Sequence, residues 1–158
     1  MDYNQTAVIK FTNMEEAVKE KSLAREEATE TITVKPKPTN FDELDEPVKL
    51  SIEAAASKKA VDIVALDLRA ITSFTEFFLI ASGTNQRQVQ AIADEIAHKL
   101  RKQLKVKPLR IEGYQSAEWV LLDFGDFIFH VFDSKSREFY DLERLWRDAS
   151  RVELPAEL

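Results

Sequence analysis

A carboxylate and an imidazole on neighbouring strands are the residues best placed for acid–base chemistry. Asp123 and His130 lie in the segment 118–132, EWVLLDFGDFIFHVF, which reads as two strands joined by a Gly125-Asp126 turn. Pairing outward from that turn makes the two side chains diagonal neighbours on one face, where such a pair could act as a general base. Local spacing places no nucleophile beside them. A polar interface and a structural pair are therefore alternatives to catalysis.

The same pairing divides the hairpin into two faces, because side chains alternate along a strand. One face is wholly apolar and consists of three opposed pairs: Phe124 with Phe127, Leu122 with Phe129, and Val120 with Val131. The other face mixes large apolar side chains with the two ionisable ones: Trp119, Leu121, Asp123, Ile128, His130 and Phe132. Such a face is either covered by another element or built to meet a partner, with Trp119 as the best candidate anchor.

Three other groupings could do chemistry, and each also has a structural explanation. The loop 82–84, SGT, could hold an anion at a helix N-terminus, or it could simply cap that helix. Asp94 and His98, four residues apart on a helix, could share a metal or form a surface ion pair. The acid-x-acid spacing at 141–143 lies on a helix, where residues two apart diverge. We therefore predict no catalytic residue, no metal and no cofactor.

Composition narrows the class of protein. The 158 residues suit one domain, and the absence of cysteine excludes disulfides and thiol chemistry. The apolar runs are too short to cross a bilayer, and the first residues have neither a signal core nor the composition of a transit peptide. The sequence therefore predicts a cytoplasmic protein without membrane contact.

Charge is segregated along the chain. Between 85 and 110, seven basic residues face two acidic ones, whereas between 111 and 148 nine acidic residues face four basic ones. The hairpin thus lies in an acidic segment, which favours a basic protein partner. The basic helix end could contact the phosphates of an RNA or simply be solvated: Arg101, Lys102, Lys105 and Lys107.

Hydrophobic periodicity predicts an α/β fold (an α+β mixed sheet) over residues 48–158, in the order α-β-β-α-β-β-β-α. The helix that follows Asn85 has the strongest amphipathic pattern, and Asp133 or Ser134 can cap the last helix. The inward side chains of that last helix are expected to be Phe139, Leu142, Leu145 and Trp146. We expect about five strands with helices mainly on one face, so that the other sheet face is partly open.

Residues 1–47 differ from the rest and are predicted to form an N-terminal extension and linker. The stretch 14–28 is charge-dense with a thin apolar stripe, which indicates a helix that is solvated or forms on docking. The stretch 31–47 alternates lysine with proline and then turns acidic, as extended linkers do.

A series of short motifs runs through residues 48–148: DIVALD at 62–67, TEFF at 75–78, SGTNQRQ at 82–88, IAD at 92–94, EG at 112–113, EWVLLDFGD at 118–126, HVF at 130–132, Arg137, and YDLERLW at 140–146. With these motifs in register, the chain resembles the Iojap/RsfS family, the ribosomal silencing factors. Glu76 departs from the family pattern, which usually has Asp there. The N-terminal extension departs too, and no family role transfers to it.

The resemblance implies a nucleotidyltransferase-like fold without catalysis. It also implies binding to the large ribosomal subunit through ribosomal protein fourteen (uL-fourteen family), beside an intersubunit bridge. Family members thereby obstruct joining of the small subunit and lower translation when nutrients are short. We accordingly expect a non-enzymatic silencing factor with these partner-binding residues: Trp119, Leu121, Asp123, Ile128, His130, Phe132, Glu118, Asp126 and Tyr140.

Two alternatives from other classes stay open at this point. One is a nucleotidyltransferase-like enzyme that uses the loop at Gly83, and the other is an RNA-binding module that uses the basic helix. The sequence also leaves open whether the free protein forms a homodimer through its open sheet face.

Overall fold

The computed structural model describes residues 17, 18, 20 and 37–158. In that part of the chain one mixed sheet carries the fold. Its strands are β1 (Thr39–Asn40), β2 (Val61–Asp67), β3 (Phe77–Gly83), β4 (Arg110–Glu112), β5 (Trp119–Asp123), β6 (Phe127–Asp133) and β7 (Ser150–Glu153). The helices are α1 (Glu46–Ser57), α2 (Gln86–Leu104), α3 (Ser134–Tyr140) and α4 (Leu142–Leu145), with a 3-10 turn at Phe41–Glu43.

The strand order is β1-β7-β2-β3-β6-β5-β4. At its centre β3 pairs in parallel with β6, and each of these two strands has an antiparallel neighbour on its other side, β2 or β5. The α/β mixed-sheet prediction is confirmed, with seven strands in place of about five. The two additional strands, β1 and β7, are two and four residues long and pair with each other, so no local pattern marks them.

Helix α2 forms as its sequence predicts. The Asn85 side chain caps its N-terminus by accepting a hydrogen bond from the Gln88 N–H at 2.8 Å. Its C-terminus ends at Lys105, which adopts the left-handed conformation with φ 60°. The apolar stripe between these caps is buried against the sheet: Val89, Ile92, Ala93, Ile96 and Leu100.

The sheet separates two hydrophobic cores. The first lies under α1 and α2 and takes the wholly apolar hairpin face, including Val120, Leu122 and Phe129. The second lies on the opposite face, where Trp119 and Phe132 pack with side chains that include Leu142, Leu145 and Trp146. The two long helices, α1 and α2, share the first face, as expected of helices mainly on one face. The second face is covered by α4 and the residues after it, so the expectation that it is partly open is wrong.

The last predicted helix is two helices. Asp141 adopts a left-handed conformation with φ 50°, which ends α3 and starts α4 in a new direction. Leu142, Leu145 and Trp146 are buried as predicted, but Phe139 is 80% exposed. The prediction of an inward Phe139 is wrong because one unbroken helix was assumed.

The folded unit begins before the predicted boundary at residue 48. Phe41 and Leu44 are buried in the first core, and β1 pairs with β7. Thr39 Oγ1 also donates a hydrogen bond to Asp67 Oδ2 at 2.7 Å. Burial raises the pKa of Asp67, but hydrogen bonds from Arg69 and Thr39 outweigh it, so the net pKa of this carboxyl is lowered.

Of the helix predicted near 14–28, Ala17, Val18 and Glu20 are described, and they are helical.

At Gly83 the end of β3 lies very close to the first turns of α2, and a substitution there measures how tight this contact is. A Cβ added at this position would lie 2.9 Å from both Val89 Cγ2 and the Val89 backbone nitrogen. We expect Gly83→Ala to lower the free energy of unfolding by about 1–3 kcal/mol through overpacking, as measured by urea denaturation. Gln103→Ala, at an exposed position of the same helix, is the control and should change stability by less than about 0.5 kcal/mol. Equal stability of the two variants would contradict this close approach.

Candidate partner-binding surface

The hairpin has the predicted register. Val120 pairs with Val131 and Leu122 with Phe129. The Phe124 N–H donates to the Phe127 carbonyl at 2.9 Å, and Gly125 has the positive φ, 90°, that the turn requires. The mixed face therefore holds the predicted residues, and we call it the Trp119 face: Trp119, Leu121, Asp123, Ile128, His130 and Phe132.

The Trp119 face was expected to be partly open, and in this structure it is covered. Trp119 is 2% exposed, Asp123 is 6% exposed and His130 is fully buried. The apolar side chains packed on this face from other elements include Val18, Leu142, Leu145, Trp146 and Ala149. The cause is the break at Asp141, which turns α4 back onto the sheet. In this closed form a partner cannot contact the six residues of the face directly.

Trp119 lies at the edge of this covered cluster. Its indole Nε1–H donates to His130 Nδ1 at 3.0 Å. Its ring centroid lies 4.6 Å from that of Tyr140 and 5.0 Å from that of Phe132. Tyr140 is half-buried and belongs to α3, so this aromatic contact joins the hairpin to the first of the covering helices.

His130 is a neutral imidazole inside the second core. Burial lowers its pKa to about 3. Since Nδ1 accepts the bond from Trp119, the ring proton belongs on Nε2. Nε2 is buried and has no hydrogen-bond partner among the described residues. The ring lies edge-on to Phe78, with centroids 4.6 Å apart. Such a group costs stability, because its lost hydration is not replaced.

Asp123 and His130 do not form an acid–base dyad. Asp123 Oδ1 accepts from the Gly125 N–H at 2.8 Å and so closes the hairpin turn. His130 lies opposite Leu121 and is bonded to Trp119. Each group therefore has a structural partner of its own.

The remaining three predicted partner-binding residues are accessible. Glu118 and Asp126 are exposed at opposite ends of the hairpin, and Tyr140 is half-buried. Next to Tyr140 the structure adds a residue that the sequence reading had placed inside. Phe139 is 80% exposed, with its ring centroid 5.0 Å from that of Tyr140. The positive φ at Asp141 was the missing information, since it directs Phe139 away from the core.

The other candidate sites are held by ordinary structural contacts. In the loop 82–84, Gln88 Oε1 accepts hydrogen bonds from both the N–H and the hydroxyl of Thr84, and Gly83 is needed for close helix packing. Asp94 Oδ2 accepts from the Tyr114 hydroxyl at 2.9 Å, a bond that raises the pKa of Tyr114. Capping and loop attachment therefore account for these residues.

Arg137 fastens α3 to the sheet. Its guanidinium donates to the carbonyls of Val61 and Asp62, at 3.2 and 2.7 Å, and to Ser82 Oγ at 2.9 Å. It also pairs with the carboxylate of Glu143 on α4. With a side chain only 12% exposed, Arg137 does not rim an interface but holds the covering helices in place.

The described residues contain neither a candidate metal cluster nor a membrane-spanning helix. No group of three or more histidine, cysteine or acidic side chains there could hold a metal ion. None of the helices in that part of the chain is long and apolar enough to cross a membrane. What the geometry does assemble is an exposed aromatic side chain, Phe139, packed on Tyr140, and aromatic side chains are enriched at protein interfaces.

Comparison with known proteins identifies the family. A family model described as "Ribosomal silencing factor during starvation" matches residues 42–158. Ribosomal silencing factor RsfS of Halalkalibacterium halodurans is 44% identical over 107 residues, which are 68% of this chain and 91% of that relative. A solved structure from Chromobacterium violaceum superposes with a TM-score of 0.63 at 38% identity, covering 72% of this chain and 91% of that one.

A more distant relative comes from mouse. It is the mitochondrial assembly of ribosomal large subunit protein 1, 29% identical over 102 residues, which are 63% of this chain and 44% of that relative. With the family model covering most of its length, the chain belongs to the family of ribosomal silencing factors. The family description is that of a regulatory protein of the ribosome, so the resemblance noted in the sequence is confirmed.

The buried imidazole predicts a specific dependence of stability on pH. In the unfolded chain His130 binds a proton below its ordinary pKa of 6.5, whereas in the folded protein it does so only near 3. The unfolded state therefore binds more protons between these values, and stability falls as pH falls. We expect a contribution of up to about 1.4 kcal/mol per pH unit between pH 6 and 4, measured by urea denaturation.

A double variant isolates this contribution. Trp119→Phe with His130→Phe removes donor and acceptor together, so neither is left unpaired. Its stability should vary less steeply with pH than that of the wild type. His98→Gln, which changes an exposed histidine, should keep the wild-type slope. An equal slope in the double variant and the wild type would contradict a buried neutral His130.

Proposed function

We propose that this protein represses translation by binding the large ribosomal subunit in the cytoplasm and sterically blocking the small subunit from joining, without catalysis. Family membership supports the silencing role, and the name of the mouse relative ties that protein to the large subunit. The family resemblance supplies the expected partner, ribosomal protein fourteen (uL-fourteen family). The surface described above supplies the chemistry for the contact.

The observation that carries this proposal is the exposed aromatic side chain beside the Trp119 face. Phe139 is 80% exposed, and its ring contacts Tyr140, which in turn contacts Trp119. Large side chains held by packed neighbours are the usual anchors of protein interfaces, because little conformational freedom is lost when they bind. Phe139 and Tyr140 are therefore the accessible anchor of the closed form.

Charge around this anchor suits a basic partner. Glu118 and Glu138 are both exposed. The Asp133 N–H donates to the Glu118 carbonyl at 3.0 Å, which sets Glu118 beside the start of α3. Exposed carboxylates attract a cationic partner and speed association, although Lys135 of α3 is exposed as well.

Phe139 also offers a cleaner test than Trp119. A charge introduced at the buried Trp119 would disrupt the second core, whereas Phe139→Glu alters an exposed side chain. We expect Phe139→Glu to weaken binding to purified large subunits by about 2 kcal/mol, roughly thirtyfold, as measured by co-sedimentation. The same variant should fail to prevent subunit reassociation in a sucrose gradient.

Leu109→Ala is the matched control, because Leu109 is also a large exposed apolar residue, at 73% exposure, but precedes edge strand β4. It should bind and block reassociation like the wild type. Wild-type activity of Phe139→Glu would refute the proposed surface. Subunit binding without any effect on reassociation would refute the blocking mechanism.

A minor contact with ribosomal RNA is part of the proposal. The basic residues at the end of α2 are all exposed: Arg101, Lys102, Lys105 and Lys107. Each phosphate that such a residue neutralises releases counterions, so it steepens the salt dependence of binding.

The RNA contact can be measured as a salt slope. If Lys102 and Lys105 each contact a phosphate, replacing both by alanine should reduce the slope of log K against log salt by roughly 1.4–1.8. Binding at low salt should weaken, while blocking at saturation should persist. An unchanged slope in the double variant would mean that this end of α2 does not contact RNA.

We propose that the free protein self-associates through edge strand β4 rather than through the Trp119 face. The Trp119 face is covered, whereas β4 is an edge strand of the sheet. Ile111 in this strand is 43% exposed, and Leu109, just before it, is 73% exposed. Edge strands with apolar side chains are the usual sites of strand pairing between copies.

A further inference from the structure

One side chain outside the family match enters the second core. Val18 is helical and fully buried, in the same hydrophobic cluster as Trp119, Phe132 and Trp146. Glu20, two residues on, is exposed. A helical segment with one buried and one exposed position therefore lies against the Trp119 face.

This contact is additional to the shared domain. The family model begins at residue 42, well after Val18. The alignment with the Halalkalibacterium relative covers 91% of that protein but only 68% of this chain. The part matched by the family model holds the hairpin and the covering helices α3 and α4, and Val18 lies before its first matched residue.

The Trp119 face is covered by α3 and α4 and by Val18. Hydrogen bonds hold α3, whereas the side chain of Val18 makes apolar contacts. Helix α3 is fixed to β2 and β3 by the Arg137 guanidinium, through hydrogen bonds of 2.7–3.2 Å. Val18 contributes an aliphatic side chain and can bring no hydrogen bond of its own. The Trp119 indole N–H is already bonded to His130, so it keeps that partner when Val18 leaves. Removal of the Val18 segment therefore exposes apolar surface without breaking this bond.

We propose that the segment around Val18 is an intramolecular cover of the Trp119 face, and that it must leave before the face can bind the large subunit fully. This inference rests on the proposed function, since it assigns the same surface a closed and an open form. When the closed form dominates, the apparent affinity falls by the fraction of molecules that are open. The buried side chain of Val18 thus acts as an autoinhibitory contact, released when the partner competes for the same apolar surface.

Tryptophan fluorescence reports the cover directly. The chain has two tryptophans, so a Trp146→Phe background leaves Trp119 as the sole indole. In that background Val18→Asp places a charge in the apolar cluster and should expel the segment. We expect acrylamide quenching of Trp119 to rise several-fold and its emission to shift to the red. Val18→Ala should give a smaller change in the same direction, and circular dichroism verifies that each variant is folded.

The binding arm uses purified large subunits and the full chain. Val18→Asp should bind roughly tenfold more tightly than the background protein, because the open fraction rises. Glu20→Ala, the matched control in the same segment, should leave both quenching and affinity unchanged.

The possible outcomes separate the two proposals. Unchanged quenching in Val18→Asp would overturn the cover. Raised quenching with unchanged or weaker subunit binding would overturn its inhibitory role, provided that the background protein binds. Raised quenching with no binding by any of the proteins would instead overturn the proposed docking function and leave the cover standing.

Discussion

The pairing of Leu122 with Phe129 sets the register of β5 against β6, and this register decides which side chains enter each core. Because side chains alternate, a slip of β5 by one residue against β6 would bring Trp119 and Leu121 to the side of α2 and send Val120 and Leu122 to the side of α4. The parallel pairing of β6 with β3 carries the same assignment into the centre of the sheet. The composition of both cores therefore depends on the hairpin turn at Gly125, whose N–H donates a hydrogen bond to Asp123 Oδ1.

The second core differs from an ordinary hydrophobic core because it buries the side chain of His130. It buries an imidazole whose Nε2 lacks a hydrogen-bond partner among the described residues, next to an indole that uses the other ring nitrogen. A core selected for stability alone would be expected to avoid such a group. In the proposed open form the Trp119–His130 bond would still join neighbouring strands, so opening would not leave the indole N–H without its partner.

The sequence was sufficient to predict features that depend only on residues close together in the chain. The hairpin register, the capping of α2 by Asn85 and the family motifs were all readable in the sequence, because each depends on residues within a few positions of one another. Strand β7 was missed because its four residues form a strand only through pairing with distant β1 and β2. The exposure of Phe139 was missed because it depends on one backbone angle at Asp141.

The cover of the Trp119 face was missed for a related reason. A thin apolar stripe indicates a helix but not the surface that it meets, and Val18 joins side chains more than a hundred positions away. Six of the nine predicted partner-binding residues were consequently assigned to a surface that is closed in this structure. Whether they contact a partner remains a proposal, and Phe139 is the accessible residue that the sequence did not indicate.

Val18 is far in sequence from the other residues of its cluster, and this distance determines when the cluster can form during synthesis. Translation proceeds from the N-terminus, so Val18 leaves the ribosome before any other member of its cluster, and Trp146 and Ala149 are the last to emerge. Contacts between such distant positions form late in folding. A nascent chain that has not yet reached residue 149 therefore lacks part of the cluster that buries Val18, and the complete cluster can form only after that point.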